Sequence, residues 1–186
     1  MSHTIAFVNG KGGVGKTTAA LLLAAALQDA KQDVGLVDED PQGSATVLSV
    51  NLNLRMNPLA PVVILDTPPT LSHPATLNAI RTADLLILIT TPSPTDLGAT
   101  ASTAELILAE RGDRPCRLLF NRVQASNRFA HQLPALAARF PFPTLTNVLY
   151  QRTAYQVAQL DGWRSIPALA RTEVLRVAVE LLDRGA

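Results

Sequence analysis

One cysteine stands in 186 residues, at position 116. No disulfide can close within one chain, which fits a reducing cytoplasm. The paired cysteines that an iron–sulfur carrier needs are missing too. Cys116 adjoins the strand-like run Arg117-Leu118-Leu119-Phe120 and reads as a small buried hydrophobe. Aromatic residues make up 4% of the chain against 47% hydrophobic overall, so the core must be built from Ala, Leu, Val and Ile. Apolar runs such as Leu85 to Ile89 fall far below the ~20 residues that span a bilayer. A strand-like run begins by residue 4, which leaves no room for a signal peptide. Net charge is +1, so any affinity for nucleic acid has to come from a local patch. Lysine is scarce: Lys11, Lys16 and Lys31 stand against thirteen arginines.

What the chain does have is concentrated near its start. The run Thr4-Ile5-Ala6-Phe7-Val8 leads into Gly10-Lys11-Gly12-Gly13-Val14-Gly15-Lys16-Thr17-Thr18, then into an Ala/Leu-rich helical stretch from Ala19 to Ala30. Gly10-x4-Gly15-Lys16-Thr17 is a P-loop in its strand-loop-helix setting. Its glycines let backbone N–H groups curl around phosphate oxygens, and the helix aims its positive end at them. Residues 10 to 18 are therefore expected to bind ATP. Lys16 should reach the β- and γ-phosphates, and the Thr17 hydroxyl should ligate Mg²⁺. Two of the three lysines sit in this loop. An ammonium is a compact point charge that fits between phosphates where a forked guanidinium is bulkier.

Downstream, short β-branched or Leu-rich runs alternate with helical stretches. Strands are expected at 4–8, 33–37, 62–66, 84–91 and 116–121, with 144–148 a sixth candidate. Helices are expected at 17–30, 74–82, 97–110, 129–139, 152–160 and 168–183. Hydrophobicity is continuous within the strands, which implies a parallel sheet covered on both faces. The expectation is one α/β domain over residues 1–186: a three-layer, doubly wound, mostly parallel sheet of the P-loop NTPase class. Such sheets bind ligands beyond the carboxyl ends of their strands. Asn51 to Pro61 reads as a short polar loop.

Two acidic elements fall at strand ends. Val34-Gly35-Leu36-Val37 runs into Asp38-Glu39-Asp40-Pro41-Gln42-Gly43. Asp38 and Asp40 lie two apart, so in extended backbone they share a face toward the phosphates, while Glu39 points away into solvent. Val62-Val63-Ile64-Leu65-Asp66-Thr67-Pro68-Pro69 is a buried strand ending in an acid. Asp66 is expected to hold a Mg²⁺-bound water, since magnesium keeps several waters and takes one or two carboxylates.

Lys11-Gly-Gly-x-Gly-Lys16-Thr is a deviant P-loop, and with the Asp38–Gly43 box and Asp66-Thr-Pro-Pro it resembles the ParA/MinD family of ATPases. Thr91-Pro92-Ser93-Pro94-Thr95-Asp96-Leu97-Gly98-Ala99 and the stretch from Leu149 to Ile166 are similar to the small plasmid-partition members of the ParF type. The resemblance implies that Lys11 crosses a dimer interface to the partner's nucleotide. It implies that Asp38 supports Mg²⁺ through water, that Asp40 orients the attacking water, and that Asn121 and Arg122 lie near adenine. Lys11, Lys16 and Asp40 are then the catalytic candidates. Asp96 reads either as a helix N-cap or as part of a loop at the nucleotide and dimer interface.

The function implied is slow Mg²⁺-dependent ATP hydrolysis used as a timer: ATP makes a homodimer and hydrolysis dissolves it. In the family the dimer binds nonspecific DNA on the nucleoid, and a ParB- or ParG-like adaptor stimulates turnover to position or segregate a cargo. A DNA-contacting patch is expected among Arg152, Arg164, Arg171, Arg176 and Arg184, with a subset facing outward. A MinD-like membrane role would need a basic amphipathic tail, whereas Val174 to Leu182 carries acids and reads as a core-packing helix. A biosynthetic P-loop enzyme is a smaller alternative.

Overall fold

The computed structural model describes residues 2–112, 114–125 and 130–183. Five strands form one parallel sheet: β1 His3–Val8, β2 Val34–Asp38, β3 Val62–Asp66, β4 Leu85–Thr90 and β5 Cys116–Phe120. Their order is β2-β3-β1-β4-β5, so the first strand lies at the centre. All five carboxyl ends therefore meet along one edge. The α-helices are α1 Lys16–Asp29, α2 Ser44–Asn51, α3 Pro74–Thr82, α4 Pro94–Arg111, α5 Leu133–Ala137, α6 Thr153–Asp161 and α7 Ala168–Leu182.

Side chains alternate across the sheet and feed two separate cores, as a two-residue strand period requires. Ile5, Phe7, Leu36, Ile64 and Ile87 pack with α1, α6 and α7. Ala6, Val8, Leu86, Leu88 and Phe120 pack with α3 and α4. The expected three-layer parallel architecture is thus observed. Helix α1 is buried from Ala19 to Leu27, which explains why that stretch has no polar residue. Helix α7 lays Ala170, Val174, Val177, Ala178 and Leu181 into the same core, as a packing helix should.

Three local expectations need correction. Helix α2 lies where no helix was expected. Its start is organised from a distance, by the Asp38 carboxylate accepting from the Thr46 N–H at 2.7 Å. Residues 144–148 form no strand. Thr144 bridges Leu118 and Tyr150 bridges Val123, but between them the chain leaves the sheet. There Glu180 of α7 accepts from the backbone N–H of Thr146 at 2.6 Å and of Asn147 at 3.0 Å, groups a strand would need. The helix expected at 129–139 is a 3-10 turn, Ala130–Gln132, followed by the short α5. Residue 129 lies outside the described residues, as does Arg184.

Both sheet edges are covered. In the loop after α2, the Arg55 carbonyl accepts from the Leu36 N–H at 2.9 Å. Its backbone crosses β2 so closely that a Cβ on Gly35 would lie 1.8 Å from the Asn57 carbonyl oxygen, which is why that strand position is glycine.

Candidate nucleotide and magnesium site

The loop after β1 is held from several sides. Asn9 is fully buried and donates to the Ile89 carbonyl at 2.8 Å and to Thr100 Oγ1 at 2.9 Å. Its own Oδ1 accepts from the Lys11 N–H at 2.9 Å. The Gly10 N–H donates to Thr103 Oγ1 at 3.1 Å. Thr100 and Thr103 are three apart on one face of α4 and so meet the loop together. None of these anchors was singled out from sequence, where Asn9 is one polar residue after a strand and the threonines are two among many.

Lys16 is buried and folds back along the loop. Its Nζ donates to the Asn9 carbonyl at 3.0 Å and to the Lys11 carbonyl at 3.4 Å. Burial lowers its pKa, and the charges of Asp66 and Asp40 pull the other way. The ammonium is thus already aimed into the loop's concave side, with two carboxylates near.

Asp66 ends β3 and pairs in register with Asp38, the last residue of β2. It is fully buried, and neither of its carboxylate oxygens has a hydrogen-bond partner among the described residues. Burial pushes its pKa up to about 6; Asp38 and Asp40 add to that, while Thr17 and Lys16 oppose it. The Thr17 hydroxyl stands near without a bond of full geometry. A buried, unsatisfied carboxylate is costly unless something positive or hydrogen-bonding reaches it. A hydrated Mg²⁺ held between Thr17 and Asp66 supplies both, so these residues fit the ion that the P-loop implies. When bound, the ion would neutralise charge on the β- and γ-phosphates.

The neighbouring acids divide their work. Asp38 Oδ2 accepts from the N–H and the hydroxyl of Thr46, at 2.7 and 3.0 Å, and its Oδ1 accepts from the Asp40 N–H at 3.1 Å. It therefore organises the loop as well as facing Asp66. Asp40 Oδ1 accepts from the Gln42 N–H at 3.0 Å, and the Asp40 charge is felt at both Lys16 and Asp66. Glu39 does not extend into solvent as expected. It is half-buried, with one carboxylate oxygen inaccessible and unpartnered among the described residues, and burial raises its pKa against an opposing pull from His73.

At the end of β5, Asn121 is buried and touches the P-loop directly, while Arg122 is exposed and takes a left-handed backbone with φ of 53°. Both line a cavity of about 330 Å³ that also takes in Thr18, Tyr150 and Arg152. The cavity lies beside the first turn of α1. The Gln159 amide donates to Thr18 Oγ1 at 3.0 Å and closes its far wall.

Arg152 lines this cavity and an adjoining groove with Gln124 and Gln156. Its Nε donates to Glu173 at 2.7 Å, a second nitrogen pairs with the same carboxylate, and its guanidinium lies 5.8 Å from the centroid of the Tyr150 ring. Arg164 and Arg176 are exposed and Arg171 is half-buried, and no ion pair engages these three among the described residues. Arg164 and Arg171 border neighbouring grooves that share Trp163 and Asp29.

Asp96 is not the N-cap of α4; Ser93 occupies that position. Asp96 lies in the first turn and pairs with Lys11, its Oδ1 being 2.9 Å from Lys11 Nζ. No helix among the described residues is long and apolar enough to cross a membrane.

Residues 5–162 match the family described as the CobQ/CobB/MinD/ParA nucleotide binding domain. A protein of Gloeobacter kilaueensis named "Maintenance of carboxysome distribution protein A" is 35% identical over 206 residues, covering 98% of this chain and 94% of that protein. Among solved structures, a chain of the MinC:MinD cell division protein complex of Aquifex aeolicus superposes with a TM-score of 0.77 at 14% identity, covering 100% of this chain and 97% of that one. A plasmid partition protein of Borrelia burgdorferi bound to AMPPNP superposes with a TM-score of 0.75 at 15% identity, covering 98% and 99%. At those identities the superpositions speak for the fold. The match over most of the chain, and the deviant P-loop within it, place this protein in the CobQ/CobB/MinD/ParA family of nucleotide-binding proteins, on its ParA/MinD side.

Proposed function

We propose that this chain is a Mg²⁺-dependent ATPase that pairs with a second copy when ATP is bound, associates with nonspecific DNA in that form, and thereby positions a cargo. The observation that carries the reading is the fully buried Asp66 carboxylate, unpartnered among the described residues and set beside Thr17 and Lys16. Such a group is an expensive fixture unless a hydrated cation and a triphosphate complete it.

Residues 10–18 wrap the phosphates, Lys16 neutralises the β- and γ-oxygens, and Asp40 orients the attacking water. Phosphoryl transfer to water asks for little beyond such positioning and charge. Lys11, partly exposed at the rim of the loop, reaches the partner's phosphates when two copies meet. Asn121 and Arg122 bound the adenine end. Turnover is slow and serves as a timer, with an adaptor protein stimulating it. The relative named for carboxysome distribution favours a protein cargo over a plasmid or chromosome.

Sizing in Mg²⁺ with ADP, and with a nonhydrolysable ATP analogue, with and without random-sequence duplex DNA, tests the reading. An analogue-dependent dimer that co-elutes with DNA in low salt is expected. A monomer in every condition that ignores DNA would overturn it, and pelleting with anionic vesicles under ATP would move the function to a membrane surface.

A further inference from the structure

Within a single copy, Lys11 is already engaged. Its Nζ lies 2.9 Å from Asp96 Oδ1 on the same chain. Asp96 is itself fixed: Thr91, the first residue past β4, donates its hydroxyl to Asp96 Oδ2 at 2.6 Å, and Thr91 Oγ1 accepts from the Ser93 N–H at 3.2 Å. The carboxylate is mostly shielded, with 16% of its side chain exposed, whereas Lys11 keeps 38%. The carboxylate is thus the anchored member of the pair and the lysine the more exposed one.

This arrangement has a consequence for any contact Lys11 makes outside its own chain. Four methylenes carry one ammonium, and one ammonium cannot sit on Asp96 and also lie between the phosphates bound by a second copy. Leaving Asp96 means leaving a shielded carboxylate behind, which is costlier than breaking a solvated surface pair. The charge left on Asp96 is not wholly uncompensated. Arg122 is the other cation whose charge acts on it, and both residues line one cavity of about 410 Å³. Release is therefore opposed and still possible, as a threshold requires.

We propose that Asp96 is a latch: it holds Lys11 within its own subunit, and a partner's bound nucleotide must outcompete it before two copies pair. Asp96 is then a positioning residue that acts through Lys11. This rests on the reading of Lys11 as an in-trans contact. It adds that the free chain is biased against pairing, and that Asp96 sets the protein concentration at which the ATP form dimerises.

The three lysines make the latch directly measurable. Trace acetylation of the apo protein with acetic anhydride, read by mass spectrometry, reports Lys11 against the exposed Lys31 as internal reference. Asp96→Asn keeps the size of the side chain and an acceptor for Thr91, and removes the charge. It should raise the Lys11/Lys31 ratio severalfold. In Mg²⁺ with a nonhydrolysable ATP analogue, sedimentation should place its dimerisation midpoint about fivefold below that of the wild type, the scale of a partly shielded ion pair. Thr91→Val, which removes the hydroxyl fixing the carboxylate, should shift both readouts the same way by less, and serves should the first variant fail to fold. An unchanged labelling ratio in either folded variant would overturn the latch, as would a midpoint equal to or above that of the wild type. If the labelling ratio rises but the wild type never dimerises, the in-trans reading fails and the proposed threshold falls with it.

Discussion

Asn121 donates its side-chain amide to the Val14 carbonyl at 2.8 Å, and its nitrogen stands 2.2 Å from where a Cβ on Gly15 would lie. The residue that follows β5 thus locks the loop that follows β1, through a space that exists because residue 15 has no side chain. Gly15 also has φ of 95°, a conformation other residues adopt at a cost. Gly15→Ala is accordingly expected to displace Asn121 and to lose nucleotide binding, read by titration with a fluorescent ATP analogue. Asn121→Ala should leave the Val14 carbonyl unpaired and cost about 1–3 kcal/mol in chemical denaturation. Wild-type affinity in both variants would show that the lock has no bearing on the site.

Asp66 gives a prediction of unusual sign. Its carboxylate is buried without a hydrogen-bond partner among the described residues, so in the apo chain it is a burden on stability. Asp66→Asn should leave apo stability unchanged or raise it by ~1 kcal/mol, yet abolish the extra thermal stabilisation that Mg²⁺ with an ATP analogue gives the wild type. Melting curves of both proteins, with and without Mg²⁺ and analogue, decide it. A variant still stabilised by the pair to the wild-type extent would remove Asp66 from the magnesium site.

The contrast between what could and could not be read from the chain follows from distance. That the P-loop, Asp38, Asp40 and Asp66 come together was legible because each lies at or just past the end of a hydrophobic run, and the parallel sheet brings all such ends to one edge. Helix α2 was not: Ser44–Asn51 carries Thr46, Val47 and Val50, poor helix formers, and its start is organised by Asp38. The absence of a strand at 144–148 depends on Glu180, more than thirty residues away. Arg152 looked like one of several outward arginines, and only folding puts Glu173 and Tyr150 against it. The Lys11–Asp96 pair spans the loop after β1 and the start of α4, and no local pattern announces it.

Glu180 predicts how stability responds to acid. Burial alone would raise its pKa, but hydrogen bonds from Thr146 and Asn147 outweigh that and hold it below its ordinary 4.5. A carboxyl with a depressed native pKa contributes stability that is fully present above the unfolded value and lost as pH falls through the native one. The wild type should therefore lose this contribution below pH ~4.5. Glu180→Gln should cost about 1–3 kcal/mol at pH 7 and flatten the acid limb. Denaturation at several pH values reads both, and parallel curves for variant and wild type would show that Glu180 is not what ties the 144–148 segment to α7.

The arginines separate two kinds of charge. Arg152 is paired with Glu173 and lines the cavity beside Thr18, so its removal should act on the nucleotide side. Arg152→Ala is expected to weaken ATP-analogue binding and to leave the salt dependence of DNA binding unchanged. Arg164 and Arg176 are exposed and Arg171 is half-buried, and no ion pair satisfies these three among the described residues. Each that touches a phosphate releases counterions on binding, so its replacement by Ala should lower the slope of log affinity against log salt by about one in the analogue-bound dimer. A double substitution at Arg164 and Arg171, which border adjoining grooves, should lower it by about two. If Arg152→Ala reduces the slope and the other three do not, the DNA surface lies across the nucleotide edge and not along α7 and the turn before it.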